Sequence, residues 1–183
     1  EHGLKVVAGF WMNADEDFTS ASRRSAIEGQ FRTFVRAFKD YDSLLIWALG
    51  NEVNRGTIGR PGQLEAYYSL CERLAQVAYE IEGTSYHPVM IANGGVGSGS
   101  EDDGGLLTLG VPEFSSRDFE LPTIDVWGCN AYYKDFGNMR WIGGGGSYFN
   151  FYKQKSGKPL IITEYGADAY RTGTGSRDPG GED

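Results

Sequence analysis

The chain has 183 residues, 17 basic against 25 acidic side chains, a net charge of −8 and an isoelectric point near 4.8. That balance excludes a binder of the nucleic-acid backbone, which needs a basic face, and no run is apolar enough to span a membrane. The two cysteines, Cys71 and Cys129, show no CxxC spacing and no His/Cys cluster, so they read as buried free thiols rather than a metal site or redox pair.

Leu4 to Met12, LKVVAGFWM, reads as a buried strand. After a polar loop, Thr19 or Ser20 can cap a helix over Ala21 to Phe38, where Ile27, Phe31, Phe34, Val35 and Phe38 recur at three- and four-residue spacing. The apolar run Leu44 to Leu49 reads as a strand buried on both faces, stopping at Gly50 and presenting Asn51 and Glu52. Arg55 to Gly62 reads as loop. Leu64 to Ile81 is a second amphipathic helix with Gly83 as its stop. Val89 to Ala92 is a short strand ending at Asn93, and Gly94 to Gly105 is loop. Its glycines invite comparison with a phosphate cradle, but Glu101-Asp102-Asp103 follows instead of an apolar helix face. Pro112 to Phe119 and Ser147 to Ser156 can hold helices. Thr123 to Tyr133 and Lys158 to Tyr165 are strands, the last ending on Glu164.

Strand and helix alternate with connections too long for hairpins, which predicts βα units, a parallel sheet and a single domain over residues 1–183. Right-handed crossovers put the strand C-termini on one edge, gathering Trp11 and Asn13, Asn51 and Glu52, Asn93, Asn130 and Tyr132, and Glu164. Barrel enzymes keep their active sites on that edge. Singly, a glutamate at a strand end is usually a solvated or salt-bridged side chain. Two such residues, with an asparagine and a tyrosine beside them, fit a glycosidic hydrolysis, which needs a proton donor at the leaving oxygen and a carboxylate at the anomeric carbon. Trp47 and Trp127 precede their strand ends and read as core. Trp11 and Trp141 lie nearer the loops and are candidate sugar platforms. His2 and His87 lack a triad pattern, and no GxSxG is present.

GNE closing one strand, NxY another and TEYG a third resembles clan A of the retaining glycoside hydrolases, built on the TIM barrel. DVWGCNAYY, SGKP and ITEYGADAY in that order resemble the bacterial β-glucanase and glucanosyltransferase-like branch and β-glucuronidase/β-galactosidase-type barrels. The resemblance implies an α/β fold, a partial (β/α)8 barrel comprising strands three to seven with their helices. It implies Glu52 as acid/base, Glu164 as nucleophile, Asn51 on the sugar 2-hydroxyl and Tyr132 orienting the nucleophile. Asn130, Trp11, Asn13 and Trp141 would line the carbohydrate site, with no cofactor and no metal. The alternatives are a β-glucan transglycosylase using the same residues and a non-catalytic carbohydrate-binding barrel. A complete barrel takes about 250 residues, so the chain is expected to be an internal piece of a longer, secreted or periplasmic parent. Its open barrel edges, Leu4 to Met12 and Lys158 to Tyr165, are expected to drive self-association and depress activity.

Overall fold

The structure is a computed structural model that describes residues 3–57, 60–94, 118–132, 152 and 156–166. In chain order the elements are β1 (Val6–Phe10), α1 (Ala21–Phe38), β2 (Leu44–Leu49), α2 (Val53–Gly56), α3 (Gln63–Glu82), a 3-10 turn (Gly83–Ser85), β3 (Val89–Gly94), β4 (Val126–Tyr132) and β5 (Leu160–Gly166). The five strands form one sheet in the order β1-β2-β3-β4-β5, and every pair is parallel. Five sequential parallel strands with helices on one face form part of a (β/α)8 barrel, as expected.

Alternation along the strands separates two apolar layers. Trp47, Leu49, Val89, Ile91, Trp127 and Cys129 face the helices, packing with Ile27, Phe31 and Val35 of α1 and with Tyr67, Leu70, Cys71, Leu74 and Ala78 of α3. The smaller layer, Ile46, Ala48, Met90, Ala92 and Val126, faces the barrel interior. Both Trp47 and Trp127 are core, as read from sequence, and each indole N–H finds a carboxylate. Trp47 donates to Glu82 at 3.2 Å and Trp127 to Asp118 at 2.7 Å. Cys71 and Cys129 are buried free thiols.

Helix α1 begins where its cap predicts: the Ser20 hydroxyl accepts from the Arg23 N–H at 3.4 Å. Helix α3 stops at Gly83, which takes a φ of 67° and donates its N–H to the Tyr79 carbonyl. Across the two helices Arg73 bridges Glu28 and Glu80, and Arg32 joins both.

Four expectations are corrected. The first strand is largely exposed, with Val6 and Val7 half open to solvent, because β1 is an edge of the sheet and no described element covers its inner face. Leu45 of β2 is exposed rather than buried, because the β1–β2 register slips there: Val6 pairs with Leu44 but Val7 with Ile46, leaving Leu45 unpaired. The stretch read as loop after Asn54 is partly helical, Val53–Gly56 making a single turn. Asn93 does not join the strand-end cluster. It is buried toward the helices, its Oδ1 accepting from the Tyr68 hydroxyl at 3.2 Å. The helix expected over Pro112 to Phe119 lies mostly outside the described residues, although 118–120 is helical. That over Ser147 to Ser156 also lies mostly outside them, with Tyr152 helical.

Candidate active site

Strand β2 delivers Asn51 and Glu52 through a sharp turn. Gly50 sits at φ 65° and a Cβ there would lie 2.8 Å from Val53 Cγ2 and 2.9 Å from the Tyr67 hydroxyl. Position 50 therefore tolerates only glycine, on both conformation and space. Two residues later Glu52 itself takes φ 52°, ψ 22°, the only non-glycine with positive φ among the described residues. Left-handed backbone at a side chain of this size costs about 1–2 kcal/mol. It persists because its surroundings fix it. The Glu52 N–H donates to the Ala92 carbonyl at 3.0 Å, and Asn54 clasps the end of β3. The Asn54 amide donates to the Gly94 carbonyl at 3.1 Å and accepts from the Gly94 N–H at 2.8 Å. Strain of this kind concentrates at functional sites.

Asn130 ties the site together. It is buried on the inner face of β4, and its Nδ2 donates to Asn51 Oδ1 at 3.2 Å and to Glu52 Oε1 at 3.1 Å. Its own Oδ1 accepts from the Thr163 hydroxyl of β5 at 2.7 Å. The Arg55 guanidinium lies 3.6 Å from Glu52 Oε1.

A second irregularity positions Glu164. Along β5, Ile161 packs in the interior layer and Ile162 toward the helices, so strict alternation would turn Thr163 inward and Glu164 outward. The β4–β5 register slips at this point: Cys129 pairs with Ile162, but Asn130 pairs with Glu164. Residues paired across a sheet share a face, so the slip puts Glu164 on the inward face of Asn130 while Thr163 keeps its contact there. The bulge thus turns two consecutive residues toward the site. Gly128 makes room for them, since a Cβ at that position would lie 3.0 Å from Thr163 Cγ2 and 2.8 Å from Met90 Cε.

Of the residues singled out in the sequence, the structure joins Asn51, Glu52 and Asn130 by hydrogen bonds and brings Glu164 into register with them. Trp11 stands at the C-terminal end of β1 and is 73% exposed. Asn13 is exposed beside it, its side-chain oxygen accepting from the Asp15 N–H at 3.0 Å. The backbone of Tyr132 closes β4; its side chain, and all of Trp141, lie outside the described residues. Thr163 and Asn54 were missed. Thr163 was hidden because nothing in TEYG announces a bulge. The second Asn of NEVN was visible as a polar residue but gave no sign of its strand-clasping role. Among the described residues no group of three His, Cys, Asp or Glu side chains could hold a metal ion, and no helix is long and apolar enough to cross a membrane.

These features define a partial (β/α)8 barrel with polar side chains gathered at the C-terminal ends of its strands. The chain resembles the β-D-glucuronidase of Dictyoglomus thermophilum, with a TM-score of 0.51 and 17% identity over 89% of this chain and 25% of that one. It also resembles a Bacteroides uniformis β-glucuronidase, with a TM-score of 0.51 and 21% identity over 82% of this chain and 17% of that one. The chain therefore spans a quarter or less of the length of these proteins. No protein-family model matches it, and no curated protein matches it in sequence.

Proposed function

We propose that the chain carries the acid/base and nucleophile of a retaining β-glycosidase of clan A, acting on β-linked poly- or oligosaccharides. The observation that supports this reading most is the Asn130 amide. It donates to Glu52 from a residue whose register partner is Glu164, which supports a reading in which the two carboxylates serve one site. The proposed separation of their carboxyl carbons is roughly 5–5.5 Å, the span of a double displacement.

In the first step Glu52, as a carboxylic acid, gives its proton to the glycosidic oxygen while the Glu164 carboxylate attacks the anomeric carbon. The C–O bond breaks and a glycosyl ester forms. In the second, Glu52 as carboxylate takes a proton from water, the water oxygen attacks the same carbon, and Glu164 leaves as carboxylate. Asn51 has its Oδ1 engaged by Asn130 and so presents its Nδ2 to the sugar 2-hydroxyl. Tyr132 orients the nucleophile, and Trp11, Asn13 and Trp141 line the sugar-binding rim. A sugar hydroxyl replacing water in the second step gives transglycosylation with the same residues. β-Glucuronides join β-glucosides as first substrates because the neighbours in fold are β-glucuronidases.

The test is azide rescue. In Glu52→Ala with a 2,4-dinitrophenyl β-glycoside, azide should accelerate turnover and yield the β-glycosyl azide, because a small anion needs no general base. An α-azide, or no response with Glu52→Ala retaining full activity, contradicts the assignment.

A further inference from the structure

The amides of the site form a chain with a direction. Thr163 donates to Asn130 Oδ1 at 2.7 Å, and Asn130 Nδ2 donates to Asn51 Oδ1 and Glu52 Oε1. While Glu52 is ionised it only accepts, so the Asn130 amide has one sensible orientation. Once Glu52 is protonated that constraint lapses. A carboxylic acid can donate, and an Asn130 turned by 180° would offer its oxygen to the acid proton. At that moment two contacts still hold the amide, the Asn51 oxygen accepting from Nδ2 and the Thr163 hydroxyl donating to Oδ1, and only the second lies on the oxygen that would otherwise turn toward Glu52.

We infer, resting on the glycosidase reading above, that Thr163 is a positioning residue that keeps the Glu52 proton available to the leaving group. It does so by holding the Asn130 oxygen away from Glu52. The bulge that aims Glu164 inward without turning Thr163 away is what allows consecutive residues to serve the nucleophile and the acid.

The test compares Thr163→Val, which keeps the shape and loses the donor, with Thr163→Ser, which keeps the donor. Two β-glycosides of one sugar are used, one with an alkyl leaving group that needs the proton and one with 2,4-dinitrophenolate, which does not. Thr163→Val should lower kcat/KM on the alkyl glycoside about ten- to a hundred-fold, less than the full loss of a general acid because Glu52 itself remains. On the dinitrophenyl glycoside it should change by less than about twofold, and Thr163→Ser should stay within about twofold of wild type on both. Equal losses on the two substrates, no loss on either, or a serine variant as impaired as the valine would overturn the inference. If Thr163→Val does not fold, Thr163→Ala carries the same comparison. If the wild-type chain turns over neither substrate, the glycosidase reading fails, and the lock is read by NMR instead. Nuclear Overhauser contacts from the Asn130 side-chain amide to the residue-163 methyl groups should then appear at low pH in Thr163→Val. Their absence would overturn the lock as well.

Discussion

Glu52 is a large side chain held in left-handed backbone, and its position costs the fold something that its chemistry would justify. Asparagine tolerates that conformation better than glutamate does. Glu52→Asn should therefore stabilise the chain by about 0.5–1 kcal/mol in urea unfolding while abolishing turnover. Cys71 makes a different prediction at the same scale. Burial pushes its thiol up to about 12, so it stays protonated at physiological pH. In the native chain Cys71 should resist iodoacetamide at pH 8 for hours and react within minutes in 6 M guanidinium, as peptide mapping would show. Rapid modification of the folded chain would contradict its burial on the inner face of α3.

At the scale of elements, Gly128 of β4 lies close against both β3 and β5. A Cβ there would sit 2.9 Å from the Ile91 carbonyl oxygen, against backbone that cannot swing away. Gly128→Ala should cost about 1–3 kcal/mol by overpacking, and should displace Thr163 and so reduce activity beyond the stability loss. The long amphipathic helices and the apolar strands were legible because their periodicity is a property of each segment alone. Ile27, Phe31 and Val35 had only one face to bury. The pairing of Glu52 with Asn130 was legible only as a coincidence of strand ends, since 78 residues separate them. What was not legible depends on neighbouring strands. The slips at Leu45 and before Glu164 arise from pairing between segments, and strict alternation would have sent Glu164 to the wrong face. Asn93 looked like a fourth strand-end amide; its parity on β3, set by Met90 and Ala92 facing inward, sends it to Tyr68 instead.

On the scale of the whole molecule, ionisation bounds the stable pH range from both sides. The Arg73 guanidinium beside Glu28 and Glu80 holds both carboxyls below the usual range, with Arg32 assisting. Depressed carboxylates contribute stability above their ordinary values near pH 4.3, and that contribution is lost as pH falls. Burial, with the Asp125 carboxylate beside it, raises the Tyr79 phenol, and burial raises Cys71. Raised groups contribute stability below their ordinary values, and it is lost as pH climbs past about 8.5 for the thiol and about 10 for the phenol. The urea midpoint should therefore be flat from about pH 5 to 8 and fall on either side. A midpoint still rising at pH 10 would contradict this burial pattern. Strands β1 and β5 have no second pairing partner among the described residues, and Leu4, Val6, Val7 and Leu45 are exposed at or beside the first edge. Such edges favour strand pairing between copies. Sedimentation velocity should show concentration-dependent association that Val7→Lys weakens; a monomer at every concentration would count against it.

The central claim is that Glu52 and Glu164 form one retaining site. Mass spectrometry after long incubation with a cyclitol epoxide of β-glucose or β-glucuronic acid configuration tests it most directly, because the adduct accumulates even at a site slowed on the order of a hundredfold by misplacement. The account predicts a single adduct on the peptide containing Glu164, absent in Glu164→Gln and slowed in Glu52→Gln. An adduct elsewhere, or an unlabelled chain, would contradict it.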